Sequence, residues 1–353
     1  MSSLPAILLV SLLSLLFGYD SAEIVFAGDA MMHQAQIDAA SRAAGQRGHY
    51  DFTGYFDSIA PYVINADYAV VNLETPVAGA PYSGYPCFNA PSGFIDALSE
   101  AGFDLFLTAN NHTLDRHDRG LRATADSLDC RALRHIGTYQ SATVRDSVLP
   151  FVRNINGIKV GFLNYTYGTN GITPGRDVVV DYIDKEQIRR DITRAREAGA
   201  EILAVCIHWG VEYQLHEHPS QRQFARFLEE QGVDLIIGGH PHVVQPMHLT
   251  DNGNGGKRLT VFSLGNFISN MKSRDTRGGA MVKVYLERGE DGIARVTDAE
   301  YALVFTRPAE NGHNFRLVWA DKCSDPRARD FARSARQLFG SSNTGICEFH
   351  PEK

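Results

Sequence analysis

Cysteine is scarce in this chain and follows no binding pattern. Cys87, Cys130, Cys206, Cys323 and Cys347 are five in 353 residues, and no CxxC pair occurs. That excludes a zinc knuckle and a disulfide-built scaffold, leaving room for a bridge or two. Cys206, inside ILAVCI, reads as a buried free thiol, whereas Cys323 and Cys347 flank a polar tail and can pair in an oxidising compartment. Positive charge is also short: 34 Lys and Arg stand against 41 Asp and Glu, a formal net charge of -7. A dedicated nucleic-acid binder needs the opposite sign, although a polyanion can still dock on a local cation such as a bound metal. No apolar run approaches the roughly 20 residues that span a bilayer. The longest candidate, Leu4 to Phe17, has 14 residues and reads as the core of a signal peptide within residues 1–22. A short anchor and a buried first strand are the alternatives. Glycine (32) and proline (14) are too scattered for a fibrous or low-complexity chain, and with 44% apolar residues the length suffices for one large core.

From Glu23 onward, short apolar runs alternate with helical patterns, the mark of βα units feeding a sheet with helices outside it. The expected strands are 23–27, 68–73, 104–109, 158–165, 201–207, 234–238 and 259–265. Gln187 to Ala198 and Ser220 to Glu230 place apolar residues at helical spacing. Beyond Gly279 the pattern turns to antiparallel strands, and from Arg307 the chain becomes polar, so 307–353 is expected to be an appendage to a 23–306 domain.

Polar residues fall where these strands end. EIVFAG runs into Asp29, YAVVNL into Glu74, DLFLTA into Asn110-Asn111-His112, EILAVCI into His208, and DLIIGG into His240-Pro241-His242. Ligands bind outside the carboxyl ends of strands in open α/β sheets. Side chains up to 213 residues apart in sequence are therefore expected at one rim. Carboxylates, an amide oxygen and imidazoles without thiolate suit Mn, Fe, Zn or Co better than an all-oxygen Mg or Ca cage. Six candidate ligands are many for one tetrahedral ion and right for two ions sharing a carboxylate. His33, His117, His135, His216, His218 and His248 end no strand and are read as surface or packing residues.

The strings FAGDAMM (26–32), VNLETP (71–76), ANNHTLD (109–115), HWGVEY (208–213), GGHPHVVQP (238–246) and SLGNF (263–267) occur in an order that resembles the calcineurin-like metallophosphatases. The resemblance is closer to their capsule-synthesis branch, the CapA-type poly-gamma-glutamate biosynthesis proteins. It implies an α/β fold, a four-layer αββα sandwich with a metal site at one rim, and a link to export or anchoring of a capsule polymer. It gives Asp29 and His242 to a first divalent ion, Glu74 to the bridging place, and Asn111, His208 and His240 to a second. His112 becomes the acid that protonates the leaving group, with Asp115 to orient it.

Two departures stand out. Metallophosphatases carry Asp-x-His where this chain has Asp29-Ala30-Met31, and Glu74 replaces the usual bridging Asp. Asn164, Thr166, Asn170, Glu212 and Asn266 are expected on rim loops as substrate contacts, and Tyr82, Tyr85 and Phe88 form either an aromatic lid or a turn cluster. The resulting expectation is a secreted or periplasmic metal-dependent hydrolase or transferase acting on an anionic polymer, a phosphate ester or a gamma-glutamyl amide, beside membrane-bound export machinery. A non-enzymatic polymer-binding module and an ordinary phosphoesterase are the alternatives.

Overall fold

The computed structural model describes residues 20–310 and 312–351. The apolar run from Leu4 to Phe17 lies outside them, and no helix among the described residues is long and apolar enough to cross a membrane.

The strand Ser21–Ala30 pairs in parallel with Tyr68–Leu73, which continues through Leu105–Leu107 to Arg134–Ile136. On its other side Ser21–Ala30 meets Gly278–Arg288 antiparallel, and that strand pairs with Ala294–Arg307. A second parallel set runs Lys257–Val261, Leu235–Gly239, Ile202–His208 and Ile158–Thr166, with Phe151–Ile155 antiparallel at its edge. One residue pair, Lys257 with Val296, joins the two halves. The strands therefore form one hydrogen-bonded path that bends into two layers.

Strand periodicity decides what each layer touches. Ile24, Phe26, Tyr68 and Val70 share a core with Val160, Phe162, Val205 and Ile237 of the second half. Their neighbours Val25, Ala27, Ala69 and Val71 face away, onto helices Gln34–Ala44, Ala60–Ile64 and Gly93–Glu100. Ile188, Ile192, Ala225 and Leu228, from helices Lys185–Glu197 and Pro219–Glu230, cover the far side of the second half. The layer order is thus helix, sheet, sheet, helix, as the resemblance implies. Phe162 sits at the sheet interface, its ring centroid 6.5 Å from Phe26 and 5.3 Å from Tyr68.

The segment after Arg307 is not a separate appendage. Arg316–Trp319 and Cys347–Glu348 both pair with Ala294–Arg307. Helix Pro326–Ser342 buries Ala328, Phe331, Ala332, Ala335, Leu338 and Phe339 in the main core. Its start is fixed by Asp325, whose carboxylate accepts from Arg327 N at 2.8 Å, and by Pro326 in the first turn. All five cysteines are free thiols, Cys323 and Cys347 among them.

Phe162→Ala should destabilise the fold by about 3 to 5 kcal/mol, the usual cost of emptying a buried aromatic site. Urea denaturation reads it directly. A loss of less than about 1 kcal/mol would contradict a sheet-on-sheet core at this position.

A buried carboxylate and imidazole centre

Each expected ligand is delivered by the backbone at the end of its strand. Asp29 reaches the rim because Gly28 has no side chain: a Cβ there would lie 2.1 Å from Gly265 O. That approach lets Asp29 N donate to Gly265 O at 3.0 Å. Glu74 follows the next strand directly, its N–H bound to Ala30 O at 3.0 Å. His208 is the last residue of Ile202–His208. His240 and His242 leave the strand Leu235–Gly239 with φ of 98° and 59°, a region side-chain-bearing residues seldom occupy outside functional sites.

Amides hold the remaining loop. Asn110 donates to Leu73 O at 2.9 Å and to Asn72 Oδ1 at 3.2 Å, while its own Oδ1 accepts from His112 N at 3.2 Å. Asn164 Oδ1 accepts from Ala109 N at 2.8 Å. The result brings Asp29, Glu74, Asn111, His208, His240 and His242 together, all buried. His208 Nε2 lies 2.9 Å from Asn111 Oδ1 and 3.4 Å from Glu74 Oε1. His242 Nδ1 lies 3.5 Å from Asp29 Oδ2, and its Nε2 lies 3.9 Å from Glu74 Oε1. Two triads emerge, Asp29–Glu74–His208 and Glu74–His240–His242, each with its ligand atoms within 4.8 Å of one another. Glu74 belongs to both, in keeping with a bridging place. The pairings the resemblance implies are also close, with His242 beside Asp29 and the His208 and His240 ring centroids 4.9 Å apart.

The donor chemistry fits divalent ions. Both oxygens of Glu74 and Nδ1 of His240 are buried without a hydrogen-bond partner. Orphaned buried polar atoms are costly and call for a ligand. Burial and the charge of Asp29 push the Glu74 carboxyl well above its usual range. Burial would also raise Asp29, yet its hydrogen bond with His242 and the fields of His208 and His242 hold it at about 2. Burial depresses His208 to about 3 and, with His208 and His242 adding repulsion, His240 to about 2. Burial opposes charge on His242 too, but Glu74 and Asp29 outweigh it and lift the ring to about 9. His208 and His240 are therefore kept neutral, the form in which an imidazole can bind a metal.

His112 lies beside this centre, with Nδ1 2.7 Å from Asp115 Oδ2. The same oxygen accepts from Phe88 N at 2.7 Å, and the Phe88 ring packs 4.6 Å from His112.

The expected substrate contacts divide. Asn170 is exposed and accepts from Asn111 Nδ2 at 3.3 Å, and Glu212 acts electrostatically on Glu74, His208 and His242, so both border the centre. Asn164 and Thr166 do not offer free groups. Asn164 also donates to Cys206 O at 3.2 Å, and Thr166 donates to Gly168 O at 3.0 Å. Asn266 is buried against His242, Oδ1 to Nδ1 at 3.0 Å, and donates to Thr276 O at 2.9 Å. It orients an imidazole rather than facing solvent. Of the expected lid, Tyr82 packs against Tyr50 and Phe88 is buried, leaving only Tyr85 outside.

Residues that strand-end reasoning passes over also matter. Asn72 donates to Asp29 Oδ1 at 2.8 Å and was detectable as a lone polar residue in YAVVNL. His33, four residues beyond Asp29, accepts from Asn270 N at 3.2 Å and packs 5.2 Å from Phe88. Burial pushes its ring down to about 4, with His242 and His112 adding repulsion. Met31, where an imidazole is expected, is buried.

Fold and site define an α/β sandwich with a buried carboxylate and imidazole centre at its strand ends. A family model described as "Bacterial capsule synthesis protein PGA_cap" matches residues 23–271, and the chain belongs to that family. It is 27% identical over 252 residues to "Capsule biosynthesis protein CapA" of Bacillus anthracis, covering 68% of this chain and 60% of that protein. It is 28% identical over 284 residues to "PGA biosynthesis protein CapA" of Bacillus subtilis (strain 168), covering 77% of this chain and 70% of that one. The chain therefore spans only part of either relative's length. Among solved structures, the NAD nucleotidase NadN of Haemophilus influenzae overlaps 95% of this chain and 65% of its own at 10% identity, with a TM-score of 0.49, too weak to carry an assignment.

The raised Glu74 pKa gives a signed test. Its folded value lies above the usual 4.5, so metal-free protein loses stability as pH rises through that folded value, while Gln carries no charge to lose it. Metal-stripped Glu74→Gln should melt above metal-stripped wild type, with the difference growing from about pH 5 to about pH 8. It should also bind less metal. Equal melting at both pH values with a full metal complement would contradict the assignment.

Proposed function

We propose that this chain is a metal-dependent hydrolase or transferase of capsule or poly-gamma-glutamate synthesis, in which Glu74 and the residues around it would hold divalent ions. The observation that carries the reading is the buried Glu74 carboxylate, with no hydrogen-bond partner and common to two triads. Asp29, His208, His240 and His242 complete the ligand set, with the Asn111 oxygen beside His208. A mixed oxygen and nitrogen set favours Mn, Fe or Zn over Mg. Bound there, such ions would polarise the scissile group and acidify the attacking water.

The chain's own residues supply the proton and the geometry. Asp115 holds Nδ1 of His112, which fixes the ring and leaves Nε2 free. Nε2 of His112 is then the group that delivers a proton to the leaving atom. Asn266 aligns His242, and Asn72 aligns Asp29. The substrate class we assign is an anionic one, a phosphate ester or a gamma-glutamyl polymer end. The run from Leu4 to Phe17 supports placing this work outside the cytoplasm, and the mass of the mature chain tests that placement.

A second reading, a polymer-binding module without turnover, is favoured by Met31, since one centre has no imidazole from that position. The two diverge at His112. His112→Ala should keep its metal while losing about 10² to 10⁴ in turnover, the usual contribution of a general acid. His240→Ala should lose both. Full activity in His112→Ala defeats the acid role, and a parallel loss of metal makes His112 a ligand instead.

A further inference from the structure

Large apolar side chains are seldom exposed in this fold, and those that are cluster. Among the described residues the exposed ones are Ile64, Tyr85, Tyr167, Val211, Tyr213 and Ile293. Four of them border the centre. The Tyr167 ring lies 4.5 Å from the His240 ring and stacks on His208 at 6.5 Å with an interplanar angle of 12°. Tyr213 lies 6.2 Å from the His242 ring, and its N–H donates to Pro241 O at 2.8 Å. Val211 is on the same loop. On the His112 side, Tyr85 lies 6.2 Å from Phe88, which packs on His112.

Tyr85, Tyr167 and Tyr213 keep 73%, 48% and 55% of their surface in water, so core packing does not explain them. Apolar surface gathered around a cluster of polar groups marks a ligand contact. The charged member of this rim is Glu212, between Val211 and Tyr213. The leading charges acting on Asp29, Glu74, His208, His240 and His242 come from one another, His112 and Glu212, and Arg116, beside the Tyr85 turn, is tied through Nη2 to Ser83 Oγ at 2.6 Å. A chain of carboxylates would need cations along the rim. Flat aromatic faces beside one carboxylate suit a different ligand, one with C–H groups on its face and hydroxyls on its edge.

We infer that the tyrosine rim binds a sugar ring, stacked on Tyr167 and Tyr213 with hydroxyls donated to Glu212, and presents an anionic substituent of that sugar to the centre. This rests on the proposed function for the anion's destination, whereas the rim's affinity for the ring stands without it.

Two measurements separate these. Saturation-transfer NMR on metal-stripped protein with an uncharged N-acetylglucosamine tetramer reads the rim alone. Signal should appear with wild type, persist in Tyr167→Phe, and vanish in the double variant Tyr167→Ala, Tyr213→Ala with unchanged melting. Calorimetry on metal-loaded protein then compares a hexose 1-phosphate with inorganic phosphate. The sugar phosphate should bind at least about 10-fold tighter, and each Tyr→Ala should cost about 2- to 12-fold, the worth of one aromatic contact, leaving phosphate unchanged. Sugar-ring binding is overturned if the tetramer gives no tyrosine-dependent signal, or if oligo-gamma-glutamate takes the rim in its place. If the tetramer binds but neither phosphate does, the rim assignment holds and the metal reading fails.

Discussion

A carboxylate with no partner is the constraint around which this molecule is organised. Glu74 is buried, both its oxygens lack hydrogen bonds, and the negative charge of Asp29 beside it opposes its own ionisation. Charge in such a place is expensive unless a cation answers it. His242 answers part, held charged by Glu74 and Asp29. His208 and His240 remain neutral and add lone pairs instead. The arrangement makes chemical sense as a receptacle for positive charge supplied from outside the chain.

The fold brings those groups to one point. Five strand ends converge because two parallel sets pack face to face, and close backbone approach at Gly28 sets Asp29 at the required depth. Side-chain amides do the fine work. Asn72, Asn110, Asn164 and Asn266 tie strand ends and loops together, leaving the carboxylates and imidazoles free to face inward. Left-handed backbone at His240 and His242 brings two imidazoles from one short segment within reach of Glu74.

The strands were legible because each is a continuous apolar run closed by a polar group, and a buried parallel strand can hardly look otherwise. The convergence of Asp29, Glu74, Asn111, His208, His240 and His242 followed from the rule that strand ends share a rim. Three kinds of feature escaped. Helix Pro326–Ser342 has apolar residues at 328, 331, 332, 335, 338 and 339, a clear helical stripe, but four arginines and short Ala side chains make the segment read as polar. Asn164 and Asn266 resemble binding residues in sequence because an amide's partner is invisible there; in the fold both serve neighbours already present. The exposed tyrosines gave no periodic signal, since their meaning lies in what they surround.

Anomalous diffraction from crystals grown with manganese tests the central claim most directly. The account predicts two peaks about 3.5 to 4 Å apart, flanking the Glu74 carboxylate, the spacing of paired catalytic ions. Peaks confined to the outlying Asp321, Glu348 and His350 cluster, with none at Glu74, would contradict it.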